Sequence, residues 1–207
     1  MDSSVEYPAV HSNGGLRRSC RIHPRPRKVE LFGCSESFAL AMPLKHGAFS
    51  SYFRNFASTD SISFVADILT SPVVVPAVCD ELERGLDAGH EYLDPAVAAL
   101  DEALSVQPLS PSEDRPEIRD RLDPGEAESL LLTIEHRGTL ATDDLAARTV
   151  ADQRDVPVTG SIGLLVLGVE SGPLDRSTAD EWLETWQRKR GYYAPVDSVT
   201  EILDDEE

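Results

Sequence analysis

Residues 122–168 alternate helix-forming segments with very short apolar segments, and this alternation limits the possible folds more than any other feature of the sequence. Residues 139–141 and 156–158 are apolar and too short to form helices, and short apolar segments are typical of buried strands. Helical sequence precedes the first of these segments, separates the two, and follows the second over residues 162–167. Because helices that alternate with short strands form crossover connections, the pattern predicts an α/β fold with a parallel sheet.

The helix boundaries in this stretch carry capping signals. Asp123 is followed by Pro124 and, three residues after the cap, by Glu126. An Asp cap, a proline in the first turn and a Glu at the third position all suit a helix start, where backbone N–H groups are otherwise unpaired. A helix is therefore predicted to begin here, and Gly138 is predicted to end it.

Polar residues follow each of the two short strands. Asp143 and Asp144 come after residues 139–141, and the segment Thr159 to Ser161 comes after the second strand. In a parallel sheet the loops at the carboxyl ends of the strands form the site. We therefore expect these residues to lie together at one edge of the sheet.

An upstream strand and helix add a further acidic residue. Residues 72–76 hold three valines between two prolines and predict a strand, and residues 77–84 predict the helix that follows it. On that helix Glu81 lies three residues after Val78 and so shares its face. We expect Glu81 to point toward the sheet edge rather than into solvent.

The remaining elements are predicted to serve packing. Residues 95–104 indicate an alanine-rich helix, and residues 107–121 indicate a polar connector rich in proline. Ser177 is the predicted cap of a later helix, in which Trp182 and Trp186 lie four residues apart. We predict that this tryptophan pair packs in the core and does not form a stacking platform for bases.

The charge of the chain is strongly acidic, with a net value of −18 and with 16 Arg against only 3 Lys. An acidic, lysine-poor surface is typical of proteins made for a high-salt cytoplasm, where salt screens the self-repulsion. The alternative is an ordinary acidic protein. Such a surface repels nucleic acid in dilute buffer, but at about 1 M salt the screening length is only about 3 Å.

The first 48 residues differ in composition from the rest. They carry a net charge of +3, which leaves −21 for residues 49–207. The basic sequence RRSCRIHPRPRK is compatible with a nucleic-acid arm or a twin-arginine signal, but the segment after it is interrupted by acidic residues. We therefore leave residues 1–48 unassigned, as a disordered or non-native segment.

The cysteines and the hydropathy indicate the compartment. The three cysteines show no Cys-x-x-Cys spacing and no secretory signal accompanies them, which favours free thiols in a reducing cytoplasm. A membrane span needs roughly 18 consecutive apolar residues, and the sequence has no such run. We expect a cytoplasmic protein with no membrane segment.

Three segments together resemble a known family. They are VVVPAVCDELERG, then LDPGEAESLLLTIEHRGTLATDDLAARTVAD, then VPVTGSIGLLVLG. In this order and spacing they are similar to the PIN-domain nucleases, in particular to a prokaryotic branch of VapC-toxin-like proteins. The resemblance implies a PIN-like domain over residues 49–203, followed by an acidic tail at 204–207. It also implies a three-layer α/β/α fold with a short, mostly parallel sheet.

The resemblance also implies a cluster of acidic residues that binds Mg²⁺ or Mn²⁺ and hydrolyses RNA. Glu81 matches the second acidic position of the family, Glu126 the third and Asp144 the fourth, and Asp143 is a substitute for Asp144 within the doublet. The interval of 18 residues from Glu126 to Asp144 fits the family spacing. Ser161 lies where members often place a small polar residue that contacts substrate.

The chemistry of hard cations gives a reason to gather carboxylates, because Mg²⁺ prefers oxygen ligands and clustered carboxylates otherwise repel one another. Each residue also has a purely structural interpretation. Glu126 completes a capping box, Asp143 and Asp144 suit the positive end of a helix, and Glu81 is within reach of Arg84 on the same helix.

One acidic position of the family is missing. Family members end their first strand in an Asp, and the matching position here is Phe49. No Asp or Glu occurs between Glu36 and Asp60. Because this absence coincides with the change in composition near residue 48, we hypothesise a reading-frame change or a wrongly assigned start. The coding DNA tests this hypothesis.

Three functions are compatible with these observations. The first is a PIN-type ribonuclease, as the toxin of a toxin–antitoxin pair, with RNA and an antitoxin protein as partners and a homodimer as its assembly. The second is a PIN-like module that binds RNA or protein without catalysis. The third is a receiver-like phosphoacceptor domain, which needs a lysine at a strand end, whereas Lys189 is the one lysine after residue 48 and ends a helix.

Overall fold

The computed structural model describes residues 51–205, which form a mostly helical α/β structure with very short strands. The helices are α1 (Ser51–Ser58), α2 (Ile62–Ile68), α3 (Pro76–Asp87), α4 (Asp94–Glu102), α5 (Pro116–Arg119), α6 (Pro124–His136), α7 (Leu145–Asp152), α8 (Ser161–Glu170), α9 (Arg176–Arg190) and α10 (Val199–Asp205). The strands are β1 (Val73–Val74), β2 (Ser105–Val106), β3 (Leu140–Ala141) and β4 (Val158–Thr159). The N-terminal segment 1–48 and the family position at Phe49 lie outside the described residues.

The strands pair in parallel, as the alternating pattern predicts. β1 pairs with β2 and β3 pairs with β4, so that residues 51–205 contain two separate two-stranded sheets. The sequence analysis did not predict β2, which follows α4 and begins before the proline-rich connector. β1 is shorter than the predicted segment 72–76 because Pro72 and Pro76 have no N–H to donate to a ladder.

The larger core cluster is built around aromatic side chains of α1 and α9. Tyr52, Phe53, Phe56 and Trp186 are fully buried. The rings of Phe56 and Trp186 lie 4.8 Å apart at an interplanar angle of 66°. The prediction that the tryptophans serve packing is confirmed, since Trp182 also packs against this cluster. Helix α1 was not predicted, although its aromatic residues recur at helical spacing.

A second core cluster lies on the other side of α6. Leu130 and Leu131 of α6 pack there with Leu140 of β3 and Val150 of α7, whereas Leu132 belongs to the larger cluster. Helix α6 is therefore apolar around much of its circumference and runs between the two clusters. This position buries its first turn, which carries Glu126.

Two helix ends differ in detail from the prediction. The left-handed residue that ends α6 is Arg137, with φ 53°, and Gly138 follows it and donates its N–H to the carbonyl of Thr133. The cap of α9 is Asp175 rather than Ser177. Asp175 accepts a hydrogen bond from the N–H of Thr178 at 2.9 Å, and the carboxylate also accepts one from the hydroxyl of Ser177, which is consequently a donor here.

None of the helices within residues 51–205 combines the length and the apolar content that crossing a bilayer requires. Cys79, on α3, is buried.

Candidate active site

Glu81 lies in the contact between α3 and α6. Pro76 begins α3, and Val78, Glu81 and Leu82 fall on its buried face. The Glu81 side chain is only 9% exposed, because α3 packs against α6 at this point. Glu81 is therefore turned away from solvent, as expected, but it lies in a contact between two helices, and the alternative of a surface pair with Arg84 does not describe its position.

Glu126 is buried in the first turn of α6, where it is 1% exposed. Its Oε2 accepts a hydrogen bond from the backbone N–H of Asp123 at 3.2 Å, which completes the predicted capping box. This hydrogen bond holds the Glu126 side chain at the buried start of α6. Glu81 lies in the same contact between α3 and α6.

Gly125 allows the two glutamates to come together. A Cβ atom at this position would lie 3.1 Å from Oε1 of Glu81 and 3.2 Å from Cγ2 of Val78. The backbone N–H of Gly125 also donates a hydrogen bond to Glu81. A larger residue here would require Glu81 and Val78 to shift by a few tenths of an ångström.

The electrostatics of this pair are unfavourable without a cation. Burial raises the pKa of Glu81 to about 8, Arg84 opposes the shift, and Asp123 and Glu126 add to it. Among the described residues, Oε2 of Glu81 has no hydrogen-bond partner. At neutral pH the Glu81 carboxyl consequently keeps its proton unless a positive charge approaches.

A second polar group surrounds Asp143. Oδ1 of Asp143 accepts from the backbone N–H of Ser161 at 2.9 Å, and Oδ2 accepts from the Ser161 hydroxyl at 2.5 Å. Asn55 donates to the same hydroxyl oxygen at 3.2 Å, and the Tyr192 hydroxyl donates to Oδ1 of Asp143 at 3.3 Å. These contacts confirm that the residues after β3 and β4 meet at one edge.

Asp143 and Asp144 have different structural roles. Asp144 is the N-cap of α7, where its Oδ1 accepts from the N–H of Ala147 at 2.9 Å. Asp143 instead turns into a cavity of about 710 Å³. Of the two residues in the doublet, Asp143 therefore faces the cavity and Asp144 caps the helix.

The sequence analysis singled out Ser161 but not the other residues that surround Asp143. Asn55 is 1% exposed on α1 and Tyr52 is fully buried beside it. Burial, followed by the charge of Asp143, raises the pKa of Tyr52, and the same causes raise the pKa of Tyr192. The one available signal was Asn55, a lone amide within an aromatic helical pattern.

The predicted ligands thus form two groups. Glu81 lies with Glu126, and Asp143 lies with Ser161. Within residues 51–205, no three Asp, Glu, His or Cys side chains are arranged so that one metal ion could be held by all of them. The family position at Phe49 is not part of the described structure.

The helices and short parallel strands are consistent with a PIN-like α/β/α fold. The sequence model of the PIN-domain family DUF3368 matches residues 50–207, and the chain belongs to this family. The comparison with curated proteins found no match.

Proposed function

We propose that this protein is a metal-dependent ribonuclease that hydrolyses RNA phosphodiester bonds. The observation that carries the proposal is the buried pair of Glu81 and Glu126, which lie together where α3 meets the start of α6. Membership of a PIN-domain family adds to it. Asp143 and Asp144 lie in a separate group, and within residues 51–205 neither completes a three-residue ligand set with this pair. Of the two, Asp143 lines the neighbouring cavity.

The residues present fit Mg²⁺ or Mn²⁺. The carboxylates supply only hard oxygen donors, and Mg²⁺ is usually held by one or two carboxylates together with water and substrate phosphates. Oε2 of Glu81 is buried and, among residues 51–205, has no hydrogen-bond partner that a cation would have to displace. A bound cation would supply an activated water and neutralise the charge that develops on the phosphate.

The side chains around the carboxylates would hold them in place. Ser161 donates to both oxygens of Asp143, and Asn55 in turn donates to Ser161, so the Asp143 carboxylate is oriented before substrate binds. Glu81 would release its proton when a cation binds, because the positive charge removes the repulsion from Asp123 and Glu126.

Cleavage of RNA tests the proposal. We expect the protein to cut RNA with Mn²⁺ at high salt and not with EDTA, and we expect Glu81→Gln and Asp143→Asn each to abolish the activity. Asp152→Asn, an exposed carboxylate on α7, is the matched control and should cut normally. Cleavage that persists in EDTA, or in Glu81→Gln, would contradict the proposal.

A second candidate is a PIN-like module that binds RNA or a protein without hydrolysis. Phe49 at the family's first acidic position favours it, as does the lack of a three-residue acidic group within residues 51–205. Phe49→Asp separates the candidates. Cleavage that appears only in this variant would identify the natural chain as a binding module, whereas cleavage by both chains supports the ribonuclease.

Finer assignments are also part of the proposal. We propose a VapC-like toxin with an antitoxin partner, a homodimer, and a cytoplasmic, high-salt setting for which the acidic, lysine-poor composition is suited. Sedimentation in low and high KCl tests two of these assignments, since the dimer should persist at high salt and dissociate in dilute buffer through repulsion between acidic subunits.

A further inference from the structure

The cavity beside Asp143 is lined by three arginines. Arg54 comes from α1, Arg148 from α7, and Arg190 is the last residue of α9. The fold thus collects cations that are far apart in the sequence. The cavity volume of about 710 Å³ lies within the range of small-molecule and cofactor sites, roughly 300–1,000 Å³.

The formal charge of this cavity is opposite to that of the chain. Asp143 is the one acidic residue among the described residues that line it, so the lining carries +2 in a chain of net charge −18. Both oxygens of Asp143 already accept hydrogen bonds from Ser161. Because three guanidinium groups share the cavity with one carboxylate, they retain positive charge that Asp143 does not balance.

These three arginines line one cavity, yet none of them is balanced by an ion pair within the described part of the chain. Between residues 51 and 205, no carboxylate forms an ion pair with Arg54, Arg148 or Arg190, and Nε of both Arg54 and Arg190 is buried without a hydrogen-bond partner there. By contrast, four arginines pair with nearby carboxylates: Arg115, Arg119, Arg176 and Arg188. Arg84, Arg121, Arg137 and Arg154 form no ion pair in this range either, so it is the meeting of three such arginines at one cavity of an acidic protein that indicates a site for an anion.

Two of the arginines are held in place by their surroundings. Nε of Arg148 donates to the carbonyl oxygen of Thr142 at 3.0 Å, and the guanidinium carbon of Arg190 lies 3.7 Å from the centroid of the Tyr92 ring. Side chains that are already ordered lose less entropy when they bind a ligand. Planar guanidinium groups also match the oxygens of a phosphate in pairs.

An exposed aromatic ring lies at the same cavity. Tyr193 is 89% exposed and follows Tyr192, whose hydroxyl contacts Asp143. Large exposed aromatics beside a basic groove are how proteins hold single-stranded nucleic acid, since bases stack on the ring while cations contact the backbone.

We propose that this arginine-lined cavity binds a phosphate of single-stranded RNA, with a neighbouring base stacked on Tyr193. The inference rests on the proposed function and deepens it, because it names the part of the site that holds the substrate apart from the Glu81–Glu126 pair. Duplex RNA would bind more weakly, since its stacked bases are not free to contact a tyrosine ring.

Fluorescence anisotropy with a short labelled RNA that cannot pair with itself tests the proposal. The measurements are made in EDTA over a range of KCl concentrations. The affinity for RNA falls as the salt concentration rises, so the slope of log affinity against log salt is negative. In a variant with Arg54→Gln, Arg148→Gln and Arg190→Gln this slope should become less steep by about 0.7, the value for one phosphate contact on a single strand. Arg188→Gln, on α9 but outside the cavity, is the matched control and should leave the slope unchanged.

Tyr193 provides a second test that does not depend on the folding of the triple variant. Tyr193→Ala should weaken binding of the single strand about five-fold or more, Tyr193→Phe should bind like the natural chain, and binding of a duplex should not respond to either change. Equal slopes for the triple variant and Arg188→Gln, or unchanged affinity in Tyr193→Ala, would overturn the proposal.

The binding experiment can fail or succeed independently of the cleavage experiment that tests the proposed function. Because binding is measured in EDTA, a protein that never cleaves RNA can still show the expected slopes. Conversely, Mn²⁺-dependent cleavage together with unchanged slopes would refute the cavity site and leave the ribonuclease proposal intact.

Discussion

Substitution of Glu81 by Gln should change how the stability of this protein depends on pH. Burial, aided by Asp123 and Glu126, raises the pKa of Glu81 from 4.5 to about 8 in the folded chain. Each unit of pKa difference corresponds to about 1.36 kcal/mol, so ionised Glu81 lowers the free energy of unfolding by at most about 5 kcal/mol at pH values above 8. A 9% exposed side chain is little screened by solvent.

The direction of the effect follows from where the proton is bound. Below pH 4.5 the carboxyl is protonated in both states, and stability does not depend on Glu81. Between pH 4.5 and about 8 the unfolded chain releases the proton while the folded chain keeps it, so the free energy of unfolding falls as pH rises. Glu81→Gln has no proton to release and should lose this part of the pH dependence.

Urea denaturation in EDTA at pH 5 to 9 measures the effect. Glu81→Gln should have nearly the stability of the natural chain at pH 5 and should be more stable by several kcal/mol at pH 9, up to the limit of about 5. Asp80→Asn, an exposed neighbour on α3, is the control and should keep the natural pH dependence. If Glu81→Gln also kept it, the carboxyl would not be buried in its protonated form and the reasoning would fail.

Three other substitutions test separate parts of the structure. Asp144→Ala removes the cap of α7 and should lower the free energy of unfolding by about 1 kcal/mol in urea, whereas Asp144→Asn should lose little; equal losses would argue against the cap. Trp186→Ala empties a fully buried site and should destabilise by about 3–5 kcal/mol, with Glu184→Ala on the exposed face of α9 as a near-neutral control. Gly160→Ala would bring a Cβ into overlap with Nη2 of Arg148 and Oδ1 of Asp143, so both side chains would have to move and RNA binding in the anisotropy assay should weaken; unchanged affinity would mean that binding does not depend on the present position of Arg148.

Local sequence signals predicted the parts of the fold that depend on neighbouring residues. The capping box of Asp123 and Glu126 formed as expected, because its donors and acceptors are three residues apart. The parallel strands placed Asp143 beside Ser161, since residues that follow adjacent parallel strands share an edge. The family was identified from motifs of the same local kind.

Contacts between distant segments could not be predicted in this way. β2 pairs with β1 through only two residues, which is too short a pattern to distinguish from a loop. Helix α1 was passed over, and with it Asn55, which reaches Ser161 across 106 residues of sequence. The hydrophobic periodicity around Asn55 and around Ser161 predicts helices but does not indicate that the two residues are in contact.

The sequence by itself determined the class of fold, the capped helix start that carries Glu126, and the edge at which Asp143 lies. Only the tertiary structure decided that Asp143 rather than Asp144 enters the cavity, and that Arg54, Arg148 and Arg190 surround it. The physical reason is the range of the forces involved. Caps and strand periods act over a few residues, whereas the direction of a side chain and the meeting of distant charges depend on how whole helices pack.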